Sequence, residues 1–239
     1  MPGTPKTTVG KTKTLTVYIL TVVIGYALFI IPDVFFGVTK INGGKIGVNL
    51  LYIALFQFCS VTALLYASLR ILKKDFSYIG LRFVHLKKDA LLGAIFGLLW
   101  TTIQFTVLIP STGGADRADV AGLLTMYDGS LTGTLSFIAL GVIGGGITEE
   151  LFNRGYFINV LKDVFKNERA GLWFSAVLSI LLFALGHLPT DAVEWLDILV
   201  PTVMYTLLFI TTKRLTASIV AHGIYNAAGI LLTWYIYYT

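Results

Sequence analysis

Apolar residues in this chain gather into long runs divided by short polar stretches. Seven such runs can be marked: Leu15–Val38, Val48–Leu72, Ala90–Pro110, Leu131–Thr148 (continuing into two glutamates), Gly171–Leu188, Leu196–Thr211 and Leu215–Tyr238. About 20 apolar helical residues cross the roughly 30 Å of bilayer hydrocarbon, so the pattern predicts an all-α, polytopic integral membrane protein. About seven transmembrane helices use nearly all of residues 1–239, which leaves one membrane domain and no soluble one. Composition agrees: the chain is 56% hydrophobic and only 13% charged, its mean hydropathy is +0.79, and soluble domains carry roughly 25% charge. Met1–Thr14 superficially matches a signal peptide, with Lys6, Lys11 and Lys13 before an apolar run. That run is too long and lacks a small-residue cleavage site, so a retained first span is expected. The single cysteine, Cys59, lies in a span and says nothing of redox compartment.

The net charge of +5 is explained by topology and needs no nucleic acid. With the N-terminus inside, Lys6, Lys11, Lys13, Arg70, Lys73, Lys74, Arg82, Lys87, Lys88, Arg154, Lys162, Lys166, Arg169, Lys213 and Arg214 all fall on the inner side. Only Lys40, Lys45 and Arg117 remain outside. The positive-inside rule then orients the chain with its N-terminus in the cytoplasm, and the plasma membrane of a prokaryote is the expected location. The basic stretch from Arg70 to Lys88 can also touch anionic lipid headgroups.

Three polar pairs interrupt the apolar runs. The first lies in Gly144-Gly-Gly-Ile-Thr-Glu149-Glu150-Leu-Phe-Asn-Arg154. Ionisable groups at bilayer depth cost at least about 2.5 to 3.5 kcal/mol and mark functional sites by default. On a helix Glu150 and Arg154 face one another as a charge pair, while Glu149 points about 100° away and stays free for chemistry. The plainer reading ends the helix at Thr148 and puts both glutamates and Arg154 among the headgroups. The second pair is Phe183 and His187, at the far end of a run, where a lone histidine can be merely interfacial. The third is His222 and Asn226, four apart in the last run, where polar side chains often hold helices together. Of the three histidines only His85 lies in the basic loop. A carboxylate, two imidazoles and an amide on three spans are the parts of a hydrolytic site.

These residues resemble the motifs of the CAAX protease and bacteriocin-processing (CPBP) family of intramembrane endopeptidases. Glu149-Glu150 with Arg154 looks like its EExxxR motif, Phe183 with His187 like FxxxH, and His222 with Asn226 like HxxxN, in the family's order. The likeness covers about 131–232, behind N-terminal helices at 15–110; Ile79-Gly-Leu-Arg82 is similar to a loop upstream in relatives. The resemblance implies a cavity between the helices carrying the motifs and a peptidase without a covalent intermediate. Glu149 would activate water with help from His187, His222 and Asn226 would stabilise the oxyanion, and Glu150, Arg154 and Phe183 would orient and support them. The implied partner is a peptide or protein substrate, with a lipid-modified C-terminus as one form, cut near the cytosolic face.

Two other readings stay open. Zinc could replace the cofactor-free mechanism, since two histidines and a glutamate can ligate it, although no His-Glu-x-x-His helix is present. A non-catalytic relative serving bacteriocin immunity or scaffolding would use the same polar pairs as interhelical glue. Geometry adds one expectation. Glu149 and His187 both fall about 28 Å from a turn near Asn167–Arg169, whereas His222 is about 12 Å from Arg214. The hairpin should therefore project into the cytosol, with His187–Asp191 broken or re-entrant.

Overall fold

A computed structural model describes residues 9–238. Lys6, counted above among the inner cations, lies outside them. Among the described residues 81% are helical and none forms a strand. Seven helices are long and apolar enough to cross a membrane: α1 Lys11–Thr39, α2 Asn49–Ile71, α3 Leu86–Ser111, α4 Leu131–Lys162, α5 Glu168–Gly186, α6 Ala192–Thr212 and α7 Thr216–Tyr238. The short helix Ala118–Leu124 lies between α3 and α4.

Local chemistry sets the ends. Ser130, Asn167 and Asp191 cap α4, α5 and α6, their side-chain oxygens accepting from Gly133 N, Ala170 N, and Val193 N with Glu194 N, which satisfies donors that the first turn leaves unpaired. Lys40 and Lys213 stop α1 and α6 in the left-handed conformation, at φ 55° and 56°.

Two spans run further than their hydropathy suggests, because charged residues at their ends are paired inside the protein. Helix α3 starts before Ala90 and takes in Asp89, whose carboxylate accepts from Arg214 Nε and Nη2 at 2.5 and 2.8 Å. Helix α4 does not end at Thr148 but continues to Lys162, so the reading that put Glu149, Glu150 and Arg154 beyond a helix end is overturned. Within it, Leu140–Ile158 winds in the wider π form with i→i+5 hydrogen bonds, and Thr148 Oγ1 reaches back five residues to the Ile143 carbonyl. Wider turns narrow the angle between successive side chains, so Glu149 and Glu150 diverge by less than an α-helix would impose.

Helix α4 is central. Its Phe152, Tyr156 and Phe157 are fully buried against Tyr18 of α1 and Leu65 and Leu69 of α2. Tyr156 Oη and Ser68 Oγ are 2.6 Å apart, and Thr21 Oγ1 donates to Ser68. On the other side α4 meets α7 where a Cβ on Gly146 would stand 2.8 Å from the Gly223 Cα. Such small-residue contacts let membrane helices approach at backbone distance, and here they draw His222 to the two glutamates.

Candidate active site

Glu150 is fully buried, and one of its oxygens meets both an ion-pair partner and a hydrogen-bond partner. Arg154 Nη1 lies 3.1 Å from Glu150 Oε1, the i,i+4 pair expected from the spacing, and His222 Nδ1 lies 2.9 Å from the same atom. Because a carboxylate only accepts, the Nδ1 of His222 carries the proton of that hydrogen bond. Its other nitrogen, Nε2, sits 3.9 Å from Glu149 Oε2. That gap is too long for a direct hydrogen bond. The Glu149 side chain keeps 24% of its surface accessible, whereas that of Glu150 has none. One glutamate is thus enclosed, its neighbour reachable.

Aromatic rings wall the charged groups. The Arg154 guanidinium lies 4.4 Å from the centre of the Phe183 ring and 5.8 Å from that of Tyr205, contacts that count most when desolvated. Phe183 also meets His187 at 4.5 Å and His222 edge-on at 6.2 Å between ring centres. Tyr205 stacks on His222 at 4.7 Å and 18°. The first residue of the Phe183–His187 pair is therefore the hub that joins the three motifs.

His187 follows the last residue of α5, is exposed, and donates from Nδ1 to the Phe183 carbonyl at 2.9 Å. Among the described residues no direct hydrogen bond or ion pair joins it to Glu149; the imidazole beside Glu149 is that of His222. Residues 187–191 form a break between α5 and α6, with Leu188 left-handed at φ 54°. Asn226 Nδ2 donates to the Gly141 carbonyl at 2.8 Å, which fixes the amide and leaves a second N–H on the same nitrogen.

Three contributors had no sequence pattern to announce them. Tyr205 is an aromatic in an apolar span, like many that merely pack. Asn153 donates to the Glu149 carbonyl at 3.1 Å and accepts from Tyr26 Oη at 3.3 Å, so α1 steadies the glutamate turn. Gly145 has the sharpest role of the three. A Cβ there would collide with Asn226 Nδ2 and stand 3.5 Å from His222 Nε2. Its missing side chain leaves room between those two nitrogens.

Of the two motif glutamates, only Glu149 can be reached from outside. Two concavities lie elsewhere, one at the end of α2 and one between α3 and α7. No cluster of three or more His, Cys, Asp or Glu side chains suited to a metal ion occurs among the described residues.

Residues 131–228 match the family model described as Rce1-like, type II CAAX prenyl endopeptidase Rce1-like. No curated protein and no solved structure matches the chain.

Proposed function

We propose that this chain, whose residues 131–228 match the Rce1-like family model of type II CAAX prenyl endopeptidases, is an intramembrane endopeptidase in which Glu149 activates water. The observation that carries this reading is the reachable Glu149 carboxylate, 3.9 Å from an imidazole whose far side is held by a buried carboxylate. A water between the two groups can hydrogen-bond to both.

In the proposed reaction Glu149 takes a proton from that water as its oxygen attacks the scissile carbonyl. The carbonyl electrons move to oxygen, and the oxyanion is received beside Gly145, between the free N–H of Asn226 and Nε2–H of His222 in its imidazolium form. When the carbon–nitrogen bond breaks, the proton on Glu149 passes to the leaving amine. Glu150 and Arg154 hold His222 in register, and Phe183 and Tyr205 keep the assembly dry. His187, at the exposed rim, assists the water or steers substrate.

The substrate we infer is a peptide with a lipid-modified C-terminal region, whose lipid stays in the bilayer while the chain reaches Glu149. The basic face, placed in the cytosol by the positive-inside rule, would attract a C-terminal carboxylate. The test is incubation of the purified chain with farnesylated CAAX peptides, followed by mass spectrometry. Release of the C-terminal tripeptide supports the assignment; intact peptides throughout the panel contradict it.

A further inference from the structure

The concavity at the end of α2 lies on the basic face and is lined by none of the motif residues, and its lining has a definite chemistry. Helix α2 ends at Ile71, and Lys73 turns the chain in the left-handed conformation, at φ 57°. The reversal folds the following loop against the helix end and leaves a concavity of about 560 Å³ lined by Arg70, Lys73, Lys74, Asp75 and Tyr78. Arg70 and Lys73 are exposed. The Lys74 ammonium pairs with Asp163 and lies 3.4 Å above the Tyr78 ring.

The one acid in the lining is turned to its own loop. Asp75 Oδ1 accepts from Ser77 Oγ at 2.6 Å and from Tyr78 N at 3.1 Å, and the Ser77 hydrogen bond holds its carboxyl below the usual carboxylate range. Arg82, bonded through Nε to the Ser77 carbonyl, adds positive charge beside it.

We infer that this concavity binds the phosphate of an anionic phospholipid headgroup. Guanidinium and ammonium groups in one recess supply the forked and point-charge donors that phosphate oxygens take. Its place argues for a lipid over a free anion. Ile71, next to Arg70, is 49% exposed, and Tyr66 one turn back is 56% exposed, so an apolar helix face rises directly from the recess where acyl chains can lie. The same loop joins the motif helices. Tyr78 Oη donates to the Asn159 carbonyl on α4 at 2.6 Å, and the Gly80 carbonyl accepts from Leu215 N, just before α7, at 2.9 Å. A bound headgroup therefore braces the ends of α2, α4 and α7 together.

The test uses the full chain in phosphatidylcholine nanodiscs with and without phosphatidylglycerol, and a third arm of phosphatidylcholine with inorganic phosphate at matched ionic strength. At lipid well above its dissociation constant the thermal midpoint should rise by about 5 °C or more. The rise should persist in a Lys87→Gln/Lys88→Gln control and vanish in Arg70→Gln/Lys73→Gln, while Arg70→Lys/Lys73→Arg retains part of it. Native mass spectrometry should show one retained phosphatidylglycerol fewer on the Gln pair. An equal rise in both Gln pairs, no rise at all, or the same rise with inorganic phosphate would overturn the proposal.

Discussion

Gly145 shows how little side chain the proposed site tolerates. Replacing it by alanine puts a methyl group against Asn226 Nδ2 and beside His222 Nε2, where the oxyanion is to be received. Gly145→Ala should lower kcat by about 10²-fold, the usual cost of losing one oxyanion donor, with a far smaller effect on KM; steady-state kinetics on a cleaved peptide checks this. Arg154 answers to stability instead. Its guanidinium is fully buried between two rings and a carboxylate, so Arg154→Met strands the Glu150 charge and should cost about 3 to 5 kcal/mol, read as a fall in thermal midpoint. The Glu150–Arg154 pair was legible in the sequence because side chains four apart on a helix meet. Tyr205 was not, because nothing local separates a tyrosine that stacks on an imidazole from one that fills lipid-facing space.

The spans themselves were legible as apolar runs, since hydrocarbon thickness sets a length that hydropathy reports. Their ends were less so. Hydropathy cannot see that Asp89 finds Arg214, or that Glu150 finds Arg154 and His222, and so α3 and α4 continue through residues that look like stops. The π winding of Leu140–Ile158 has no periodic signature either. The projecting α4–α5 hairpin follows from helical geometry: Glu149 lies about three turns from the end of α4 and His222 under two from the start of α7, yet the two residues are neighbours. On the opposite face, Arg117 looked like a loop cation, but its side chain is only 5% exposed and grips Asp119 and Asp197. Arg117 also donates to Thr112 Oγ1 at 3.1 Å, so it pins the segment between α3 and α4 to α6. Arg117→Gln leaves Asp197 buried without its cation and should cost about 3 to 5 kcal/mol. Limited proteolysis should then cut within 112–130 under conditions that spare the parent chain.

Across the whole molecule, the all-helical membrane fold was readable from composition, and the likeness to the Rce1-like family model over residues 131–228 from three motifs in order. The meeting of those motifs was implied by the resemblance alone, because it depends on Gly146 and Gly223 bringing α4 and α7 to backbone contact, which hydropathy does not report. The proposed reaction uses protein groups alone, so prolonged dialysis against a strong chelator should leave the cleavage rate unchanged. Loss of activity with recovery on adding zinc would favour the metal-dependent alternative. The most direct measurement of the central claim compares peptide cleavage by the parent chain and by Glu149→Gln, with both thermal midpoints recorded. The amide keeps the shape and hydrogen-bonding capacity of the side chain but removes its basicity. The account predicts a fall in kcat of about 10²- to 10⁴-fold at an unchanged midpoint; cleavage by Glu149→Gln at the parental rate would contradict it.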